Sequence, residues 1–191
     1  MTLQMFMFDK KLTPWGDYGS ILVHGMAHRD DEEGLLQLER TGPYIPAITA
    51  PGIHDLLLTD QAKSAISEIL PSLEFKPVVK AHIVLSNWHE WDRNADDPAE
   101  YPETGEPEDY VLLQPHDPNL AAQLGEVWEL VPKIIPEIQG DNLVFKQSLY
   151  AGQHFVCPAV FGGCGYISAD LKMALESTDP EWISFHEATV V

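Results

Sequence analysis

The histidines and cysteines are the side chains of this sequence best suited to metal binding or catalysis. His24 and His28 lie four residues apart in "HGMAH", a spacing that would place both rings on one face of a helix. The glycine between them and the β-rich surroundings favour a strand or turn, in which the rings need not converge. His154, Cys157 and Cys164 fall within eleven residues but lack the C-x2-C spacing of structural zinc sites. We favour two small apolar thiols in a buried turn, with a metal site as the alternative.

A second candidate for chemistry is His89, which precedes Glu90 and Asp92 and so combines a base with carboxylates. Neighbouring residues of a strand point to opposite faces, and the sequence has no nucleophile elbow, P-loop or dinucleotide-binding motif. The sequence therefore predicts no catalytic residue, no metal ligand and no cofactor. The alternative is a metal-dependent hydrolase built from His24, His28, His89 and Asp92.

Carboxylates, prolines and aromatic residues are concentrated between Asn87 and Leu113. From Asp92 to Asp109 there are eight acidic residues and one base, Arg93, and prolines at 98, 102 and 107 exclude a regular helix or a central strand. Large aromatic side chains can anchor a partner, and surrounding charges can steer a basic one. The segment is therefore a candidate partner-binding surface, with a solvated structural loop as the alternative. Its residues are Trp88, Trp91, Asp92, Asp96, Asp97, Glu100, Tyr101, Glu103, Glu106, Glu108 and Asp109.

The overall charge narrows the classes of partner. Eleven Lys and Arg residues against 30 Asp and Glu residues give a formal net charge of −19, which opposes binding to nucleic acid or an anionic membrane and favours a basic protein. The sequence has no run of eighteen apolar residues, no secretion signal at its start and only two cysteines. We therefore expect a cytoplasmic protein.

The first half of the chain reads mainly as strands. "LQMFMFDKK" predicts an edge strand, and "SILVHGMA" and "LLQLERTG" predict a hairpin whose strands are separated by the acidic run Asp30 to Glu33. The next segment, "GPYIPAITAPG", has three prolines and two glycines, which predict an extended crossing without a regular element.

The clearest helical pattern begins at Thr59, which is placed to cap a helix that ends before Pro71. Its predicted apolar face consists of Ala62, Ala65, Ile66 and Ile69. Apolar residues precede this helix and β-rich residues follow it, so the unit is strand, helix, strand.

The same pattern recurs near the C-terminus. Ser168 stands where Thr59 stood, and Leu171, Lys172, Ala174 and Leu175 match Ala62, Lys63, Ala65 and Ile66. The predicted fold is α+β, with a mixed, mainly antiparallel sheet and two related strand-helix-strand units. The chain, residues 1–191, is predicted to form a single domain or two interlocked lobes, 1–90 and 115–191, joined by an acidic, proline-rich loop at 91–114. That segment is called the acidic loop below.

Several phrases resemble a group of bacterial immunity proteins associated with polymorphic toxins: "LLQLERTGPYIPAIT", "LLLTDQAKSAISEI…LEFKPVVKAHIV" and "NWHEWD…YPETGEPEDY". The resemblance covers Leu35 to Tyr110. The matching positions are Leu58, Thr59, Glu74, Phe75, Pro77 and Val78, with Gly42, Pro43 and Pro46 upstream. Some relatives carry a double C-x-x-C-G motif, of which this chain keeps only Cys164-Gly165, with Cys157 at a different spacing.

The resemblance implies a protein of a toxin–immunity system that binds its cognate toxin and blocks it stoichiometrically, without catalysis. Strong acidity then fits a basic toxin such as a nuclease. A non-catalytic acidic adaptor is a further alternative.

Overall fold

Strands outnumber helices in the computed structural model, which describes residues 3–30, 34–135, 144–158 and 165–191. The strands are β1 (Met5–Lys10), β2 (Met26–Arg29), β3 (Leu36–Gly42), β4 (Ile48–Thr49), β5 (Leu57–Thr59), β6 (Phe75–Pro77), β7 (Val79–Leu85), β8 (Val127–Leu130), β9 (Lys133–Ile135), β10 (Val144–Phe145), β11 (Phe155–Pro158), β12 (Tyr166–Ser168) and β13 (Ile183–Val190). The helices are α1 (Asp17–His24), α2 (Asp60–Ile69), α3 (Asp109–Leu112), α4 (Pro118–Gln123) and α5 (Ala169–Glu176), with 3-10 turns at Trp88–Glu90 and Gln147–Leu149.

The first repeat unit is a four-stranded antiparallel sheet in the order β4-β5-β8-β6. Helix α2 connects β5 to β6, and β8 lies between these two strands. Thr59 begins the helix as predicted, because its Oγ1 accepts a hydrogen bond from the Ala62 amide at 3.3 Å. This bond satisfies one of the amides that the first turn of a helix leaves without a partner.

The second repeat unit has the same order and directions, β11-β12-β1-β13, with α5 connecting β12 to β13. Ser168 Oγ accepts from the Leu171 amide at 3.2 Å, as Thr59 does for α2. Parallel pairing adds β9 at one edge of this sheet and β10 at the other. The predicted α+β class, the mainly antiparallel mixed sheets and the two related strand-helix-strand units are confirmed.

Equivalent lysines show how closely the units correspond. Lys63 Nζ on α2 lies 3.6 Å from the ring centre of Trp128 on β8. Lys172 Nζ on α5 lies 5.2 Å from the ring centre of Phe6 on β1. Because β8 and β1 are equivalent strands, each lysine covers an aromatic residue on the same strand of its unit.

The main hydrophobic core joins the two units through their helices. Ala62 and Ile66 of α2 pack in one cluster with Leu171, Ala174 and Leu175 of α5. The predicted face of α2 was too wide, because Ala65 is exposed and the Ile69 side chain is 54% exposed. The buried side of α2 is therefore narrow: among the four predicted residues, only Ala62 and Ile66 pack in the core cluster.

The prediction of a strand at "SILVHGMA" is wrong, because Asp17–His24 forms α1 and the strand begins at Met26. Gly25 separates the two elements with φ 72°, a backbone conformation that favours glycine. A Cβ at this position would also lie 2.7 Å from Cβ of Arg40. The hairpin is confirmed, because β2 pairs antiparallel with β3. Residues 31–33 of the predicted acidic run lie outside the described residues.

Two further predictions about the strands need correction. β1 is not an edge strand, because it pairs with β12 on one side and β13 on the other. The proline-rich crossing contains a short regular element, because Ile48–Thr49 pairs with β5 as β4. The partners of β1 lie more than 150 residues along the chain, so local sequence does not reveal its central position, whereas β4 pairs with the nearby strand β5.

A third sheet, β2-β3-β7, carries the acidic loop. β7 pairs parallel to β3, and Val84 on one face packs with Trp88 and Val111. Ile83 on the opposite face is covered by Leu120 and other residues at α4. The loop therefore starts from a strand that is packed on both faces.

The segments 1–90 and 115–191 each contribute a strand to the other's sheet, because β1 lies among the C-terminal strands and β8 lies beside β5 and β6. None of the helices in the described ranges has the length and apolar character needed to cross a membrane.

Candidate functional site

The acidic loop leaves the end of β7 through a 3-10 turn and returns through α3. Asp109 is half-buried at the start of α3, whereas the other predicted carboxylates are exposed. The exposed set is Asp92, Asp96, Asp97, Glu100, Glu103, Glu106 and Glu108. These seven carboxylates therefore lie exposed on one loop.

The predicted aromatic anchors separate into buried and exposed residues. Trp88 is fully buried and packs against Tyr44, with ring centres 5.5 Å apart. Trp91 is half-buried, with its ring centre 5.7 Å from that of Trp15. Only Tyr101 of the predicted aromatic anchors has about half of its side chain exposed. Trp88 is thus a core residue that cannot contact a partner in this conformation, because it covers the end of its own sheet.

Three tyrosine hydroxyls hold the loop in place. Tyr18 on α1 donates to the Gly105 carbonyl at 2.5 Å. Tyr101 donates to Asp97 Oδ1 at 2.5 Å, and Tyr110 donates to the carbonyl of Glu100. The bond to Asp97 raises the pKa of Tyr101 to about 12, and burial raises the pKa of Tyr110. Both phenols therefore stay protonated and act as donors at neutral pH.

Arg93, the loop's one base, is directed away from the loop carboxylates. Its Nη1 lies 2.7 Å from Oε1 of Glu181, just before β13, and its guanidinium lies 5.5 Å from the ring centre of Trp182. Among the described residues, none of the seven exposed loop carboxylates forms a salt bridge with Lys or Arg. The negative charge of the loop is therefore not neutralised locally.

The predicted carboxylates have two different roles. Asp92 accepts from the Asn94 amide at 3.0 Å, Asp97 accepts from Tyr101, and Asp109 accepts from the Thr104 hydroxyl. The bond of Asp92 is a local turn contact to the backbone, whereas Asp97 and Asp109 each bond a hydroxyl side chain of the same loop. The remaining side chains make no hydrogen bond to another described side chain or backbone group and project from the loop: Asp96, Glu100, Glu103, Glu106 and Glu108.

The alternative hydrolase residues occupy different environments. His24 is buried at the end of α1, where its Nδ1 accepts from the Ala50 amide at 3.3 Å, whereas His28 is exposed on β2. Burial lowers the pKa of His24 to about 3, with the charges of Lys10 and Arg40 adding to the effect. His89 stacks on the Tyr44 ring, with ring centres 5.0 Å apart. No group of three or more potential metal ligands occurs in the part of the chain that the structure describes.

The second candidate for metal binding is only partly described. Cys157 is buried in β11, and His154 Nδ1 lies 2.8 Å from Ser168 Oγ, the cap of α5. This bond gives His154 a structural partner in the second repeat unit. Cys164 lies outside the described residues.

Sequence reasoning missed a buried arginine. Arg40 is fully buried, donating through Nε to the Thr41 carbonyl at 3.0 Å and through Nη2 to Val23 at 3.4 Å and Tyr44 at 3.3 Å. The Val23 carbonyl belongs to the last turn of α1, so Arg40 places a cation at the negative end of that helix. Nothing near Arg40 in the sequence indicates this contact.

A bidentate salt bridge also escaped prediction. Arg29 bonds both oxygens of Glu129, with Nη2 to Oε1 at 2.5 Å and Nη1 to Oε2 at 3.1 Å, and Glu129 is buried. The two residues join the three-stranded sheet to the first repeat unit. Their separation by 100 positions leaves no local signal in the sequence.

Comparison with known proteins gives no relative: no family model, curated protein or solved structure matches the chain. The geometry and charge of the acidic loop are therefore the structural basis for assigning a function.

Proposed function

We propose that this chain is an immunity protein that neutralises a cognate bacterial toxin by direct stoichiometric binding, and that the toxin is a basic protein such as a nuclease. The observation that carries the proposal is a loop with seven exposed carboxylates whose backbone is fixed by tyrosine hydroxyls and by Arg93. The resemblance of Leu35 to Tyr110 to immunity proteins of polymorphic toxin systems supports the same function.

Fixed charges suit this task for two physical reasons. Exposed carboxylates attract a basic protein over about 10 Å at 0.1 M ionic strength and so accelerate encounter. A loop that is ordered before binding loses little conformational entropy when the partner arrives, so more of the interaction energy contributes to affinity.

The proposal can be tested by affinity capture followed by a growth assay. The tagged chain is used as bait in a lysate of its source organism, and each captured protein is then expressed in a host that lacks this chain. We expect one captured protein to arrest growth and co-expression of this chain to restore it. Purified together, the two proteins should form a complex of fixed stoichiometry.

A pair of charge-matched variants identifies the surface that binds. The loop variant changes Asp96, Asp97, Glu100 and Glu103 to the corresponding amides. The control variant changes Glu68, Glu74, Glu126 and Glu187, which are also exposed, to Gln. Both lose four negative charges, but only the loop variant should associate more slowly with the toxin, with a weaker salt dependence. Equal association rates for the two variants, or no captured protein that arrests growth, would refute the proposal.

A further inference from the structure

Two adjacent leucines are exposed where the acidic loop ends. Leu112 is the last residue of α3 and Leu113 follows it, and their side chains are 53% and 57% exposed. Single exposed leucines are common on protein surfaces, but adjacent ones beside a dense group of charges are less expected.

The leucine pair is held on a rigid support. The two preceding residues, Tyr110 and Val111, are buried in the cluster that contains Trp88. After the pair, the Gln114 side chain donates to the Tyr110 carbonyl at 3.1 Å, and the Gln114 carbonyl lies 2.8 Å from His82 Nε2. The chain is therefore anchored on both sides of the leucines, which reduces the entropy lost when they are covered.

The Asp and Glu residues nearest to the leucines along the chain are not interspersed with Lys or Arg. Glu106 and Glu108 are exposed within a few residues of Leu112, and neither forms a salt bridge in the part of the chain that the structure describes. High-affinity interfaces commonly have an apolar centre from which a rim of polar and charged groups excludes water. An apolar centre with an acidic rim complements a basic surface that has an apolar socket.

We propose that Leu112 and Leu113 are the apolar centre of the docking surface and insert into an apolar socket on a basic protein. This inference depends on the proposed function, because the occupant is the toxin that the acidic loop attracts. The leucines take the place of Trp88, which is buried in the core, among the apolar contacts of the predicted partner-binding surface.

The test measures dissociation of the growth-arresting protein from a double variant, Leu112→Ala with Leu113→Ala. We expect dissociation about thirtyfold faster than from the wild type, with an association rate within about threefold, because hot-spot losses act mainly on dissociation. Ile69→Ala is the matched control, since Ile69 is equally exposed on α2, and it should leave both rates unchanged. Unchanged melting temperatures would show that each variant is folded.

The outcomes separate this inference from the proposed function. If the wild type binds and neutralises the toxin but the double variant dissociates at the wild-type rate, the leucines are not the centre and only this inference fails. If no growth-arresting partner exists, both proposals fail. A third outcome is self-association of the wild type that the double variant abolishes, measured by sedimentation velocity; the occupant would then be a second copy of the chain and the inference would be overturned.

Discussion

The equivalent central strand comes from opposite ends of the two repeat units: it is the last strand of the first unit along the chain and the first strand of the second. In the first unit, β8 follows β6 and inserts between β5 and β6. In the second unit the equivalent strand is β1, which precedes every other element of that unit. A sheet requires only a strand with the right apolar pattern and direction, so the source of the strand can differ while the architecture stays the same.

The helix caps reveal a second difference between the units. Thr59 is half-buried, and its side chain bonds the Ala62 amide of its own helix but no second side chain among the described residues. Ser168 is buried and also contacts His154 from the segment before β11. The second unit therefore connects its helix to a neighbouring strand through a side-chain bond that the first unit lacks. Four predictions test how far the equivalence of the units extends.

The largest effects are expected from shortening the helix residues of the shared core. Ile66→Ala in the first unit and Leu175→Ala in the second should each lower the free energy of unfolding by about 2–5 kcal/mol, because both side chains are fully buried. Chemical denaturation measures the change. The double variant should depart from additivity, because both residues belong to one core cluster. Ile69→Ala on the exposed side of α2 is the control and should cost less than about 0.5 kcal/mol.

Acid should act on the first unit through His24, which bonds Ala50 directly after β4. The pKa of His24 is about 3 in the folded protein and 6.5 when unperturbed, so protons bind preferentially to the unfolded state. His24 therefore lowers the free energy of unfolding as pH falls from 6.5 toward 3. The loss is absent above pH 6.5 and reaches about 3 kcal/mol at pH 4.5. His24→Gln keeps an acceptor for Ala50 and should lose correspondingly less stability between pH 7 and pH 4.5. Identical losses in the variant and the wild type would contradict this account.

Removing the caps should distinguish the units. Thr59→Ala should cost about 1 kcal/mol, the usual loss for a helix N-cap. Ser168→Ala should cost about 2 kcal/mol, because it also removes the partner of half-buried His154. In a His154→Leu background, Ser168→Ala should cost no more than Thr59→Ala does in the wild type. If Thr59→Ala and Ser168→Ala lowered the free energy of unfolding of the wild type equally, the bond between Ser168 and His154 would contribute nothing to stability.

The smallest effect concerns the equivalent lysines. Lys63→Met should cost about 1 kcal/mol, because its ammonium lies 3.6 Å from the Trp128 ring centre. Lys172→Met should cost about 0.5 kcal/mol, since its ammonium is 5.2 Å from the Phe6 ring centre and already pairs with Glu176 at 2.7 Å. Methionine keeps an apolar stem, so the loss reports mainly on the charge. A larger loss of stability for Lys172→Met than for Lys63→Met would contradict the prediction that the closer lysine–aromatic contact is the stronger one.

Sequence reasoning succeeded where the determining contacts are local. The caps at Thr59 and Ser168 bond amides three residues away, so their positions could be predicted from the two repeated patterns. Sequence reasoning failed for α1 because Tyr18, Ile21 and Leu22 follow helical spacing within a short apolar run that is equally compatible with a strand. The exposure of Leu112 and Leu113 at the end of the acidic loop could not be predicted, because leucines in an apolar run are more often buried.

By itself, the sequence determined the two capped helices, the α+β class and the position of the acidic loop, because hydrogen bonds between near neighbours, apolar periodicity and charge density can be read along the chain. Only the tertiary structure decided that β1 lies inside a sheet, that Arg40 bonds the last turn of α1, and that Trp88 is buried while Leu112 is exposed. These features depend on partners brought together from distant parts of the chain. Burial is a property of the assembled neighbours, so the identity of a residue alone does not determine it.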